Sequence, residues 1–275
     1  MRFGLVQLDI AWEDKPRNFA RVRELAAAAA RQSCEVLVLP EMFATGFSMN
    51  EAATCEPAGG PTTRYLCQLA RDHGLFVIGT LVEGAAGAAR NTCLIVSPGG
   101  EILARYAKAH PFTYAEEDRH YQAGAGPVAV ALGEVELAPF ICYDLRFPEL
   151  LRPPAAAGAA ILVVVANWPA ARIEHWTTLL RARAIECQAF VLGVNRCGSG
   201  GGLNYPGRST AIDPLGAVIW EADSAETVGI VDLDPALVRR VRQELPFLPD
   251  MRPELYSRLY RQLADGSRSA TGTKA

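Results

Sequence analysis

The stretch Ala138-Pro139-Phe140-Ile141-Cys142-Tyr143-Asp144-Leu145-Arg146-Phe147-Pro148-Glu149 places a cysteine where an apolar, β-prone run ends and polar, helix-opening residues begin. Such a strand-to-helix elbow implies an α/β chain and leaves the backbone N–H groups of Tyr143 and Asp144 free at the helix start. The helix dipole is expected to lower the pKa of the thiol there, and the same donors can bind an oxyanion. Of the seven cysteines, Cys34, Cys55, Cys67, Cys93, Cys142, Cys187 and Cys197, only Cys142 has neighbours that suggest reactivity. The others read as small buried apolar residues: the count is odd, no Cys-x-x-Cys occurs, and no Cys/His spacing suits zinc. Free thiols point to a reducing compartment, hence a cytoplasmic protein.

Working outward from this elbow, strands and helices alternate. Phe3 to Leu8 is β-prone, and after Pro16 the residues Phe19, Val22, Leu25 and Ala29 recur at helical spacing. Val36 to Leu39 reads as a strand, Thr62 to His73 as a helix stopped by Gly74, and Leu75 to Val82 as a strand again. Thr92 to Ser97 and Glu101 to Tyr106 flank Pro98-Gly99-Gly100, the composition of a hairpin turn. Further apolar runs at Val128 to Leu132, Val135 to Ile141, Ala160 to Ala166, Phe190 to Asn195, Ser209 to Ile212, Ala217 to Trp220 and Thr227 to Val231 raise the strand count to about a dozen. Helices are expected at Phe147 to Leu151 and Ile173 to Gln188. That many strands exceed one flat sheet, so two sheets with helices outside are the economical packing. No linker interrupts the chain, which reads as one domain over 1–265 followed by a small, polar, unstructured tail over 266–275.

Composition removes several classes of function. The 275 residues are 50% hydrophobic, 21% charged and 8% aromatic, which excludes a disordered or collagen-like chain. Lys and Arg total 27 against 30 Asp and Glu, a formal net charge of -3 without any like-charge block, so nucleic acid is not an expected partner. The apolar run Ala159 to Ala166 is far too short to span a membrane, and the N-terminus lacks a signal-peptide core.

Two further segments bear on chemistry. Leu39-Pro40-Glu41-Met42-Phe43 puts a carboxylate at the C-terminal end of an apolar strand, where ligands of open α/β sheets bind. An apolar rim would raise the pKa of Glu41 toward the range useful to a general base, although a surface or helix-start carboxylate is an equally plain reading. Tyr106-Ala107-Lys108-Ala109-His110-Pro111-Phe112 sends a lone lysine from a strand into a loop. By itself Lys108 reads as solvated; next to a nucleophile it would stabilise an oxyanion.

In the order Glu41, Lys108, Cys142, these segments resemble the nitrilase superfamily of carbon–nitrogen hydrolases, whose triad is Glu-Lys-Cys. Pro-Glu-x-Phe, Lys-x-His-x-Phe and Cys-Tyr-Asp-x-Arg-Phe-Pro-Glu all occur, and Val6-Gln7-Leu8-Asp9 looks like the family's first strand, so the resemblance runs to about residue 260. It implies a four-layer α-β-β-α sandwich of two mixed sheets and a homodimer, with the helix around His175 to Gln188 as one contact. It also implies a thioester mechanism on a small amide, without metal or organic cofactor. Glu41 is then the base, Cys142 the nucleophile, and Lys108 with the Tyr143 N–H the oxyanion site. Counting back from Tyr121 and Gly124 favours Glu117 over Glu116 as a further carboxylate that orients Lys108 or the substrate.

Ala166-Asn167-Trp168-Pro169, His175-Trp176, Arg181-Ala182-Arg183-Ala184-Ile185-Glu186 and Gly193-Val194-Asn195-Arg196 look like the omega-amidase branch, which removes the terminal amide of 2-oxo dicarboxylic monoamides. By that resemblance Asn167 and Trp168 line the substrate pocket, Trp176 packs in the core or a dimer contact, and His175 is structural. Pro111 and Cys187 depart from the family pattern away from the triad and blur the substrate more than the activity. Arg146 is one cation for a substrate carboxylate, although an ion pair with Glu149 is the readier expectation. The rivals are an amidase or N-carbamoyl amide hydrolase for another small substrate, an inactive scaffolding relative, and a thiol redox sensor using Cys142.

Overall fold

The computed structural model describes residues 1–271. The first half runs β1 (Arg2–Gln7), α1 (Lys15–Arg31), β2 (Val36–Val38), α2 (Glu51–Thr54), β3 (Cys55–Glu56), α3 (Pro61–His73), β4 (Phe76–Glu83), β5 (Arg90–Val96) and β6 (Ile102–Ala107). The second runs β7 (Val130–Leu132), β8 (Val135–Ile141), α4 (Pro148–Ala157), β9 (Ile161–Ala166), α5 (Ile173–Cys187) and β10 (Phe190–Asn195). It ends with β11 (Cys197–Gly200), β12 (Leu203–Pro206), β13 (Thr210–Ile212), β14 (Val218–Glu221), β15 (Thr227–Asp232), α6 (Pro235–Glu244) and α7 (Pro253–Thr271). Local chemistry sets several boundaries. Asp14 caps α1 by accepting from the Arg17 N–H, and Gly74 closes α3 in the left-handed conformation that glycine adopts without strain.

The strands form two large mixed sheets and a separate β11–β12 hairpin. The first has the order β15-β1-β2-β4-β5-β6, with the short β3 also on β4; the second has the order β14-β13-β10-β9-β8-β7. Each holds a parallel centre, β1-β2-β4 and β8-β9-β10, flanked by antiparallel strands. Alternation along the strands gives the first sheet two apolar faces. Phe3, Leu5, Val36, Val38 and Ile78 meet Phe140, Ile141 and Val163 of the second sheet in one core. Val6, Leu37, Leu39 and Val77 pack instead under Val22, Ala26, Leu66 and Ala70 of α1 and α3. On the far side Leu151 and Ala155 of α4, with Trp176, Leu180 and Ala184 of α5, cover the second sheet. The result is the α-β-β-α sandwich.

The strands and hairpin lie within a residue or two of their expected positions, while several elements differ. A single 3-10 turn, Cys142–Arg146, comes between β8 and the helix expected at Phe147 to Leu151. That helix is α4, which begins at Pro148 and continues to Ala157 through Pro153 and Pro154. Helices α6 and α7 and the β11–β12 hairpin lack a matching expectation. α6 buries only Val238 and Val241, too few for a clear helical period, and the glycines from Gly198 to Gly202 read as loop. α7 takes in residues 266–271 of the expected unstructured tail, since an established helix adds one hydrogen bond per residue it extends; residues 272–275 lie outside the described residues. Among the described residues no helix is long and apolar enough to cross a membrane.

Leu180 is fully buried where α5 meets β10. Leu180→Ala is therefore expected to lower unfolding free energy by about 2–5 kcal/mol, read from urea titration; a change well under 1 kcal/mol would show that this layer contributes little.

Candidate active site

Glu41, Lys108, Cys142 and Asn167 all lie just past the carboxyl ends of strands, β2 and β6 in one sheet and β8 and β9 in the other. The first sheet thus supplies the carboxylate and the ammonium, and the second the thiol. Two residues in this region hold left-handed backbone without being glycine: Met42, at φ 46°, and Cys142, at φ 48°. Such conformations cost about 1–3 kcal/mol each and persist only where neighbours enforce them. Met42 is fixed by its N–H donating to the Thr80 hydroxyl. At the other elbow Asp144 accepts from the Ile141 N–H at 3.1 Å.

Lys108 is buried between two buried carboxylates. Its Nζ donates to Glu41 Oε1 at 2.9 Å and to Glu117 Oε2 at 2.8 Å, and it sits 5.0 Å from the Phe47 ring centroid. Burial alone would lower the ammonium's pKa, but Glu117 and Glu41 outweigh it and hold the group above its ordinary value. Burial pushes Glu117 up, with Lys108 acting against it. Asn91 at the start of β5 bridges the carboxylates, its Nδ2 donating to Glu41 Oε1 at 2.9 Å and Glu117 Oε1 at 3.2 Å. The backbone is fixed as well: Lys108 N donates to Asn91 O and Gly124 N to Lys108 O, both at 2.8 Å. A Cβ at Gly124 would fall 2.1 Å from the Ala107 carbonyl oxygen, so only glycine fits this approach.

Glu41 also joins the two sheets. Its Oε2 accepts from the Asn167 backbone N–H at 2.9 Å, and its own carbonyl accepts from Asn167 Nδ2 at 2.6 Å. The rim expected to be apolar is therefore polar, because amide and ammonium donors from both sheets converge on one carboxylate. Asn195 fixes the next residue, accepting from Trp168 N at 2.7 Å and donating to Trp168 O at 3.0 Å. Asp144 ties the Lys108 loop to the cysteine elbow by accepting from the Tyr106 hydroxyl at 2.7 Å and the His110 N–H at 2.9 Å.

Of the paired alternatives, Glu117 lies in this cluster, whereas Glu116 is exposed and pairs with Arg119. Tyr143 stands at the opening of the 3-10 turn, whose first N–H groups have no partner within the turn. The expected lowering of the Cys142 pKa does not occur. Burial, followed by the Glu41 carboxylate, raises the thiol well above its ordinary value, and Lys108 only partly offsets them. The physical reason is the short 3-10 turn, whose dipole is small beside the desolvation and the neighbouring negative charge.

Cys142 opens into a cavity of about 70 Å3 also lined by Phe47, Tyr143, Asn167, Trp168 and Tyr205. Trp176 stays in the core behind Trp168, with ring centroids 5.5 Å apart. His175 lies outside the cluster and contacts Arg146 Nη2 at 3.2 Å. The expected Arg146–Glu149 ion pair is not formed; Glu149 instead accepts from the Tyr260 hydroxyl, while the Arg146 guanidinium lies over Trp168. A larger cavity of about 620 Å3 between α4 and α7, lined by Tyr256 and Leu259 among others, contains none of the clustered groups. The side chains of Asn91, Asp144, Asn195 and Arg172 had no assigned role in the sequence. Asn195 stood out only as the end of an apolar strand within a family-like motif, and Asn91, one residue before the expected strand, not at all.

A carbon–nitrogen hydrolase family model matches residues 2–243. The chain belongs to that family. The hydrolase is 38% identical to the omega-amidase YafV of Escherichia coli K12 over 253 residues, 91% of this chain and 96% of that one. It is 33% identical to the 2-oxoglutaramate amidase of Bacillus subtilis, covering 91% and 97%. Among solved structures it is similar to XC1258 of Xanthomonas campestris, a CN-hydrolase superfamily protein with an arsenic adduct in its active site, at TM-score 0.87 and 33% identity over 92% of this chain and 97% of that one. It is also similar to the amidase of Nesterenkonia sp. AN1, a variant of which carries the acetamide moiety of fluoroacetamide on its active site cysteine, at TM-score 0.83 and 27% identity over 94% and 96%.

A raised thiol pKa has a direct optical consequence. The difference in absorbance at 240 nm between the wild-type hydrolase and Cys142→Ser should show no thiolate step below pH 8, and a step near pH 6 would mean that the resting group is an ion pair.

Proposed function

We propose that this hydrolase cleaves the terminal amide of small 2-oxo dicarboxylic monoamides, 2-oxoglutaramate and 2-oxosuccinamate, releasing the acid and ammonia through a cysteine thioester. The observation that carries this reading is the buried Lys108 held between Glu41 and Glu117 next to Cys142 at the base of a small cavity. The omega-amidase and 2-oxoglutaramate amidase names of relatives spanning nearly the whole chain support the substrate class. A cavity of about 70 Å3 suits a short linear amide better than a peptide.

The resting thiol is neutral, so attack needs a base. Glu41 takes the proton from Cys142 as the sulfur bonds to the amide carbon and the carbonyl electrons move onto oxygen. The Lys108 ammonium and the Tyr143 N–H hold that oxyanion. As the intermediate collapses, Glu41 returns the proton to nitrogen, the C–N bond breaks and ammonia departs. Water, deprotonated by Glu41, then attacks the thioester carbon, the C–S bond breaks, Glu41 returns the proton to the Cys142 sulfur, and the acid leaves. Glu117 and Asn91 keep Lys108 aimed, and Asn167 orients Glu41 while Trp168 walls the cavity.

We place this chemistry in one domain over 1–265 of a cytoplasmic homodimer that needs no metal, cofactor, membrane or nucleic acid. Ile185 on α5, with Val218 and Ile219 on β14, leaves apolar surface exposed in support of self-association. Sedimentation velocity should give twice the 29.6 kDa chain mass, and a monomer at micromolar concentration would remove the dimer from the reading.

Ammonia release should be fastest from 2-oxoglutaramate and 2-oxosuccinamate in a panel with glutamine, asparagine, a simple aliphatic amide and an N-carbamoyl amino acid. Cys142→Ala should release none, and Glu41→Gln should lose at least about 100-fold in kcat. Turnover confined to another member of the panel would keep the three residues and discard the substrate class; activity in Cys142→Ala would discard the mechanism.

A further inference from the structure

Two arginines, Arg146 and Arg172, line the cavity beside Cys142. Among the described residues neither forms an ion pair with a carboxylate, whereas Arg152, Arg183 and Arg208 all do. Aromatic faces hold both. Arg146 lies 5.0 Å from the ring centroid of Trp168 and 6.0 Å from that of Tyr143. Arg172 lies 5.4 Å from Phe112 and 5.8 Å from Tyr114. The Phe112 and Tyr143 rings are themselves 4.8 Å apart, so the two cations stand at either end of one aromatic run. Trp168 links them further, since its Nε1 donates to the Arg172 carbonyl at 2.7 Å.

A guanidinium over a ring is positioned through its face, which leaves N–H edges available for a carboxylate; Arg146 engages His175 Nδ1 through Nη2 at 3.2 Å and keeps its remaining N–H groups for that purpose. The electrostatics of the site call for such a group. Lys108 is already shared by two carboxylates, so the catalytic cluster by itself repels an anion. The two arginines reverse that balance at the cavity, and they are separate from the ammonium assigned to the oxyanion.

We propose that Arg146 and Arg172 form a carboxylate-recognition site and make the enzyme selective for amides with an anionic group at the end remote from the scissile bond. The proposal rests on the omega-amidase reading above and adds to it the residues that select the substrate.

The test compares kcat/KM for 2-oxoglutaramate with that for neutral butyramide in wild type, Arg146→Gln and Arg172→Gln, alongside the Ki of glutarate as a competitive inhibitor without an amide. Each substitution should lower the anionic-to-neutral ratio about tenfold or more, through KM, and raise the glutarate Ki by a similar factor. Melting temperature and labelling of Cys142 by methyl methanethiosulfonate check that each variant is assembled, and Arg→Lys at either position provides a charge-retaining second variant if one is not. An unchanged ratio and Ki in variants of an enzyme that does prefer 2-oxoglutaramate would overturn the proposal and leave the omega-amidase reading intact. A wild type without that preference would overturn the substrate reading itself, and the glutarate Ki would then decide separately whether these arginines bind an anion.

Discussion

Burying one ammonium between two carboxylates is the constraint around which this molecule is arranged. Removing a partner from such a pair typically costs about 3–5 kcal/mol, because a charge is left without either water or a counter-ion. The fold answers with donors from many directions: Asn91 from β5, the Asn167 backbone from beyond β9, and the Phe112 N–H onto Glu117. A buried ion pair is weak as a stability device, but it fixes position well. Here it holds a positive charge near Cys142, where the proposed mechanism has negative charge develop on an amide oxygen.

The sandwich architecture explains why such a cluster can be built. Two sheets packed face to face bring the carboxyl ends of β2 and β6 against those of β8 and β9, so residues far apart in sequence converge without a loop having to reach across the protein. The price in backbone strain falls on Met42 and Cys142, and a different contact holds each elbow, the Met42 N–H on the Thr80 hydroxyl and the Ile141 N–H on Asp144. Asp144 has a particular place in this scheme. Buried and acceptor to both Tyr106 and His110, it makes the lysine loop and the cysteine elbow one unit.

Much of the fold was legible along the chain because continuous apolar, β-prone runs and the Gly74 and Pro98-Gly99-Gly100 signals are local. Glu41, Lys108 and Cys142, which the structure brings together, were singled out as a set only through their family-like motifs, since Lys108 by itself reads as solvated and Glu41 equally as a surface carboxylate. Asn91, Asn195 and Arg172 were not. Each has a partner distant in sequence, and a polar residue at a strand end looks the same whether it faces water or a buried carboxylate. The thiol was misjudged for a related reason. A strand-to-helix elbow suggests a dipole, but the sign of the pKa shift depends on how deeply Cys142 is buried and how near Glu41 stands.

By itself, then, the sequence determined the alternation of strands and helices and the two-sheet packing, which follow from apolar runs and turn residues, and it pointed to Glu41, Lys108 and Cys142 through motifs that resemble those of a known family. Only the tertiary structure decided between Glu117 and Glu116, raised rather than lowered the thiol pKa, and left Arg146 without the Glu149 partner its spacing suggested. Those outcomes depend on desolvation and on distances between groups from different strands. Such quantities come into being only when the chain has closed on itself.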